Sequence, residues 1–252
     1  MKAVILAAGT GMRLGGGAGA PPKCLLEFGG KSLLLRHLRI LESVGVNRVA
    51  IGVGYEAGMV ETELARYEGA MDVVTVFNPD YRQGNIVTLW RLRGELEDSG
   101  PVLLMDADVL YDHRIMAQLV SSPSPNCFLM DREFEPGDEP VKLCLREGRV
   151  VEFGKQVDDA LEFDLQGESV GFFKLSPDIA GQLTVIAERF MAEGRTEAFY
   201  EEALRILALD AGGTRFGVED ITGLPWIEID FPRDIEIARR TVLPFLAALE
   251  AA

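Results

Sequence analysis

An α/β fold, in which a mostly parallel mixed sheet is flanked by helices, is predicted by two observations. Short aliphatic runs alternate with helical patterns through the first half of the chain, the rhythm that βαβ units produce. The first of these runs, Ala3 to Leu6, opens into a glycine-rich loop, and open α/β sheets bind ligands at the carboxyl ends of their strands.

The elements follow in order. Strands are read at 2–7, 48–53, 72–77, 101–106 and 126–130, separated by helices at 31–44, 56–67, 84–97 and 112–121. From 138 the rhythm changes. Short strands at 140–145, 149–153 and 168–174, divided by turn signals such as Glu147-Gly148, predict a small antiparallel addition or an inserted substrate lobe. Amphipathic helices at 176–193 and 196–210 come next, then the short strand Trp226-Ile227-Glu228-Ile229. A last helix begins at Pro232, with proline in its first turn and Ile235, Ala238, Val242 and Leu246 at helical spacing. No internal repeat, low-complexity segment or long linker interrupts this pattern.

The 252 residues, 48% hydrophobic and 26% charged, suit one large domain with a sizeable core. A net charge of −15 disfavours nucleic acid or an anionic membrane as partner, because no basic surplus exists to neutralise phosphates over a wide surface. Three widely spaced cysteines, Cys24, Cys127 and Cys144, lie in or beside apolar runs and read as buried thiols in a reducing compartment. The opening apolar run is too short for a signal peptide, and no run of about 18 apolar residues exists to span a membrane. The expected location is cytoplasmic.

Four constellations carry chemistry. Glycines at 9, 11, 15, 16, 17 and 19 let backbone N–H groups approach an anion, and Arg13 and Lys23 supply positive charge; the loop matches neither a Walker A sequence nor a strict GxGxxG. Asp106-Ala107-Asp108 sets two acids at a strand end, a costly arrangement without a nearby cation and one that suits a hard divalent ion; Asp108 or Asp112 as a helix cap is the alternative. Asp230 is either the N-cap of the last helix or a second carboxylate for the same ion, while Asp234 fits the helix dipole. Gln83 and Asn85, in a polar turn, offer either the donor and acceptor pairs of a pyrimidine edge or plain turn chemistry. His37 and His113 lack a matched nucleophile, so catalysis must lean on charge.

Together, Leu6-Ala7-Ala8-Gly9-Thr10-Gly11-Met12-Arg13-Leu14, Pro22-Lys23, Asp106-Ala107-Asp108 and Asp230 before the last helix resemble the nucleotidyltransferases that join a nucleoside triphosphate to a phosphorylated sugar or alcohol. Asn78-Pro79-x-Tyr81, Gly84-Asn85-Ile86, the segment Gly167 to Ser176 and Trp226-x-Glu228-Ile229-Asp230 are similar to the choline-phosphate and inositol-1-phosphate cytidylyltransferases. One departure is Gly84-Asn85, where the choline-phosphate enzymes commonly carry paired asparagines.

The resemblance implies a Rossmann-like, nucleotide-diphospho-sugar transferase fold over one domain, 1–252. Its parts would be a nucleotide-binding half (1–135), an acceptor lobe (136–225) and a metal-ligand strand with C-terminal helix (226–252). It implies that Arg13 and Lys23 hold the triphosphate and that Asp108 and Asp230 ligate Mg²⁺. Leu6, Ala7, Ala8, Gly9, Thr10, Gly11, Gln83, Gly84, Asn85 and Asp106 would face the nucleotide. Lys142, Lys155, Glu168, Tyr200, Glu201 and Trp226 would face the acceptor. The implied partners are CTP and a phosphorylated small molecule; self-association as a homodimer is left open. Competing readings are a sugar-1-phosphate or inositol-1-phosphate nucleotidyltransferase using UTP or CTP, a non-catalytic nucleotide-binding protein, and a metal-dependent glycosyltransferase. Arg13 and Lys23 favour transfer of a nucleotide, since gripping a leaving pyrophosphate needs cations at that loop.

Overall fold

The computed structural model describes residues 1–15, 19–97, 100–135 and 137–250, so Gly16 and Gly17 of the predicted loop and the end of the C-terminal segment at 251–252 lie outside the described residues. The chain runs β1 (Lys2–Ala7), a short hairpin β2 (Glu27–Phe28) and β3 (Lys31–Ser32), α1 (Leu33–Ser43), β4 (Arg48–Val53), α2 (Ala57–Leu64), β5 (Asp72–Phe77), α3 (Asn85–Arg91), α4 (Arg93–Leu96), β6 (Val102–Asp106), β7 (Val109–Tyr111) and α5 (His113–Ser121). The second half holds β8 (Cys127–Asp131), β9 (Lys142–Arg146), β10 (Arg149–Gly154), β11 (Leu165–Leu175), α6 (Pro177–Ala192), α7 (Tyr200–Leu209), β12 (Gly217–Asp220), β13 (Trp226–Glu228), α8 (Pro232–Ile237) and α9 (Leu243–Glu250).

The main sheet has the order β10-β9-β11-β6-β1-β4-β5, with β8 pairing β11 and β12. Strands β6, β1, β4 and β5 are parallel, whereas β11 runs antiparallel to β6, β8 and β9. A parallel strand covered by helices on both faces must be apolar on both, and β1 is. Val4 packs into the cluster under α3, α6 and α7, while Ala3, Ile5 and Ala7 pack into the one under α1 and α5. β6 alternates the same way, with Leu104 on the first face and Leu103 and Met105 on the second. A third cluster joins the C-terminal helices to the β2–β3 hairpin and β7 through Ala238, Val242, Leu246, Phe28 and Leu110.

Several elements depart from expectation. The helix at 84–97 is two, breaking at Leu92, whose N–H is shared between the Thr88 and Leu89 carbonyls. The helix expected from 196 starts at Tyr200 because the carbonyls of Thr196 and Ala198 accept from Gly84 and Ile86 across the fold. β2, β3, β7 and β12 are two to four residues long, too short to show a period of two. The strand near 126–130 does not continue the parallel order; it is paired by β11 and by β12. All three cysteines are free and buried, and among the described residues no helix is long and apolar enough to cross a membrane.

Phe128 centres an aromatic cluster, its ring 4.7 Å from Phe216, 4.8 Å from Phe153 and 5.5 Å from Phe173. Phe128→Ala opens a cavity there and is expected to cost about 3–5 kcal/mol, read as a lower midpoint in urea unfolding with an unchanged slope.

Candidate functional site

The site forms where the loops following β1 and β6 meet the end of β13. The Ala8 carbonyl accepts from Tyr55 N–H at 3.0 Å, tying the first loop to the end of β4. Gly11 then turns at φ 61°, a left-handed conformation that glycine adopts without strain, and the single turn Met12–Leu14 carries Arg13. Lys23 stands in the turn Lys23–Leu25 that Pro22 initiates.

Asp108 and Asp230 are brought together by a two-stranded sheet. β13 pairs antiparallel with β7, Glu228 opposite Val109, and Ile229 N–H donates to the Asp108 carbonyl at 2.9 Å. The entry to the last helix is held by Asp234, whose Oδ2 accepts from the N–H groups of Asp230 (2.9 Å) and Phe231 (2.6 Å). Capping therefore falls to Asp234, with Phe231 in the N-cap position, and the carboxylate of Asp230 is left for the site. Likewise Asp112, not Asp108, caps α5.

Lys23 Nζ donates to Asp230 Oδ1 at 2.6 Å and Asp108 Oδ2 at 3.0 Å. Burial works against the Lys23 charge, but the two carboxylates outweigh it and raise its pKa above the ordinary lysine value. Arg13 Nη1 reaches Glu139 at 2.9 Å and Asp230 at 3.4 Å. One carboxylate oxygen each from Asp108, Glu228 and Asp230 lie within 4.8 Å of one another. Burial, then the charges of Asp108 and Asp230, push Glu228 well above the usual carboxylate range. Three hard oxygen donors under mutual repulsion fit a hard divalent cation.

Behind this cluster Asp106 is buried, its Oδ2 accepting from Tyr200 O–H at 2.8 Å. Burial and the nearby Glu201, Asp108 and Glu228 raise its pKa strongly, with the Tyr200 bond opposing. Gly171, at φ 77° in the irregular stretch of β11, makes room: a Cβ there would collide with the Asp106 carboxylate. Asn85 brackets the start of α7, its Oδ1 accepting from Tyr200 N–H at 2.7 Å and its Nδ2 donating to Glu201 at 3.4 Å. His37 is buried, which pushes its pKa down to about 4, and its Nε2 lies 3.2 Å from the Ala107 carbonyl.

The glycine-rich loop, its two cations and the carboxylate cluster line one cavity of about 360 Å³. It gathers the loop from Leu6 to Gly11 with Arg13, Lys23, Gln83, Asn85, Asp106, Asp108, Asp230, Lys155, Tyr200 and Glu201. Gly84, Lys142, Glu168 and Trp226 do not line it. The Gly84 N–H donates to the Thr196 carbonyl at 2.8 Å. Lys142 Nζ is held by the carbonyls of Gly137 and Lys155, both at 2.7 Å. Trp226 Nε1 donates to Asp131 Oδ2 at 2.7 Å, and Glu168 sits across the ladder from Asp131 and Lys142. Glu228 and Glu139 were missed. Glu228 precedes Asp230 by two residues, the same-face spacing of an extended chain, so its signal was legible; Glu139, in a loop, had none.

A glycine-rich loop bearing two cations, set against a carboxylate cluster at the end of a parallel sheet, is the layout of a nucleotide-transferring enzyme. The chain belongs to the family of MobA-like NTP transferase domains, whose sequence profile matches residues 3–152. It is 30% identical over 246 residues, 93% of its length, to CMP-5'-(3-aminopropyl)phosphonate synthase of Streptomyces rubellomurinus, and spans 37% of that protein. It is 24% identical to CTP:phosphoglutamine cytidylyltransferase of Campylobacter jejuni, covering 94% of this chain and 98% of that one. Among solved structures it resembles the inositol-1-phosphate CTP transferase of T. maritima, with TM-score 0.75 and 21% identity over 99% of this chain and 96% of that one. It also resembles the CTP:phosphocholine cytidylyltransferase of Streptococcus pneumoniae, with TM-score 0.72 and 20% identity over 94% and 97%. These two likenesses establish the nucleotide-diphospho-sugar transferase fold.

Burial raises Glu168 to about 7, with Asp131 adding to the shift and Lys142 opposing it. Because the folded protein holds this proton more tightly, Glu168 favours folding at low pH and its contribution is lost as pH rises from its unfolded value through about 7. Glu168→Gln is expected to stabilise by about 2 kcal/mol at pH 8 and to change little at pH 4, measured by urea unfolding at both.

Proposed function

We propose that the chain is a Mg²⁺-dependent cytidylyltransferase, condensing CTP with a phosphorylated small alcohol or a related phosphonate and releasing pyrophosphate. The observation that carries the reading is the cluster in which Lys23 joins Asp108 and Asp230 beneath the glycine-rich loop. The preference for CTP, and for a small phosphorylated or phosphonate acceptor, is supported by relatives named for such reactions.

The chemistry needs no protein base. A phosphate or phosphonate acceptor is already ionised near neutral pH, so one of its oxygens attacks the α-phosphorus while the bond from the α-phosphorus to the bridging oxygen breaks and pyrophosphate departs. The obstacle is repulsion. Among the described residues the cavity is lined by six acidic side chains, Asp106, Asp108, Glu139, Glu201, Glu228 and Asp230, and by three cations, Arg13, Lys23 and Lys155, and the raised pKa values of Asp106 and Glu228 express the crowding of negative charge that an arriving triphosphate would add to. Asp108 and Asp230, with Glu228 beside them, would hold Mg²⁺, which when bound supplies charge neutralisation at the reacting phosphates. Lys23 and Arg13 serve as counter-ions of these carboxylates, and an arriving triphosphate competes for them. They would then stabilise the leaving pyrophosphate, and the N–H groups of the loop from Ala8 to Gly11 would meet its oxygens.

Lys23→Ala and Asp108→Ala are each expected to lower turnover by about 10²–10³ while leaving the circular dichroism of the folded protein unchanged. Pyrophosphate release is measured over four triphosphates against choline phosphate, aminoethylphosphonate, inositol 1-phosphate and several sugar 1-phosphates. Release with CTP and a small amino-alcohol phosphate or phosphonate is expected and should stop on chelation by EDTA. Release confined to sugar 1-phosphates would overturn the acceptor class, and full turnover by folded Asp108→Ala would overturn the metal assignment.

A further inference from the structure

The cavity under the glycine-rich loop is lined from two parts of the chain. The loops after β1 and β5 contribute the stretch from Leu6 to Gly11 with Tyr81, Gln83 and Asn85, and the second half contributes Lys155, Phe199, Tyr200 and Glu201 among others. Asn85 belongs to the first part, yet both ends of its amide are turned to the second. A backbone N–H can only donate, so the Tyr200 N–H, at 2.7 Å, fixes Asn85 Oδ1 toward the start of α7. The amide nitrogen is then aimed at Glu201, to which it donates at 3.4 Å. Reading the edge of a base needs the carbonyl and the amine directed together at one ligand, and in Asn85 both are directed at α7.

The neighbours of Asn85 make the same connection. Gly84 N–H donates to the Thr196 carbonyl at 2.8 Å and Ile86 N–H to the Ala198 carbonyl at 3.4 Å. A Cβ at position 84 would collide with the carbonyl groups of Glu197 and Ala198. The φ of Gly84 is −59°, open to any residue, so glycine is required here by the closeness of the two segments and not by the backbone conformation. The start of α3 and segment 196–201 therefore form one unit. That segment ends in Tyr200, whose phenol donates to Asp106 at 2.8 Å, and in Glu201, whose side chain reaches the cavity.

We propose, resting on the two-substrate transfer described above, that Gly84 and Asn85 are positioning residues for the acceptor: they seat Tyr200 and Glu201 in the cavity wall and so determine which phosphorylated acceptor fits, and Asn85 does not read the base. A turn that sequence alone sets beside the nucleotide acts on the other substrate. Neither residue touches a reacting atom, so the effect falls on acceptor binding.

The test compares Asn85→Ala and Gly84→Ala with wild type, using the triphosphate and the acceptor that give wild type its fastest pyrophosphate release, and measures KM for each substrate separately. A wild-type enzyme that prefers another triphosphate or acceptor overturns the cytidylyltransferase reading and not this one, since the comparison uses the pair the protein accepts. Asn85→Ala removes both side-chain bonds and is expected to raise the acceptor KM about tenfold or more, with the triphosphate KM within about twofold of wild type. Gly84→Ala displaces the same segment by packing while keeping the Asn85 amide, and is expected to move the acceptor KM in the same direction. Hydrogen–deuterium exchange read by NMR needs no substrate. The Tyr200 N–H opens α7 and has no acceptor within its own helix, so its exchange should be faster in Asn85→Ala. A rise in the triphosphate KM alone, equal rises in both constants, no change in either, or unchanged exchange at Tyr200 overturns the proposal.

Discussion

Everything in the first cavity is arranged around the ammonium of Lys23, shared between Asp108 and Asp230 at 3.0 and 2.6 Å. Two carboxylates so close, with a third from Glu228 beside them, repel strongly in a half-buried setting. Lys23 offsets that repulsion by direct contact, and Arg13 lends a second positive charge to Asp230. The raised pKa of Lys23 expresses the same balance from the side of the cation. A site that needs cations to hold its own carboxylates together is already prepared to exchange them for a metal ion and a triphosphate.

The backbone makes this concentration of charge affordable. Asp108 follows a strand of the main sheet, Glu228 ends a strand of the small β7–β13 sheet, and Asp230 sits where Asp234 pins the start of a helix. None of the three depends on a flexible loop for its position. Behind them Asp106 is kept apart from the cluster by its bond to Tyr200, in a space that only a glycine at 171 leaves open. Two carboxyl groups two residues apart thus have different surroundings, one with a lysine and one with a phenol.

Much of the architecture was legible because long apolar runs and helical periodicity are local. β1, β4, β5 and β6 and the helices between them follow the predicted order. Of the predicted site residues, those on the first loop and at the end of β6 line the cavity because they occupy strand ends, where a parallel sheet opens. Gly84, Lys142, Glu168 and Trp226 do not: Gly84 N–H donates to the Thr196 carbonyl, Lys142 to the carbonyls of Gly137 and Lys155, and Trp226 to Asp131, while Glu168 lies on the ladder between Asp131 and Lys142. Nothing local distinguishes a lysine aimed into a cleft from one bonded to two carbonyls beside it.

The sequence by itself determined the strand–loop–helix order, the glycine-rich loop with its two cations, and the acids at the end of β6, since each depends on residues within a few positions of one another. Only the tertiary structure decided that Asp234 caps while Asp230 turns to Lys23, that Glu228 joins the carboxylate cluster, and that the antiparallel β11 takes its place beside β6. The physical reason is the same in each case. Hydrogen bonding and Coulomb interaction act over a few ångströms of space, and the segments that share that space, such as 23 with 230, are separated by most of the chain.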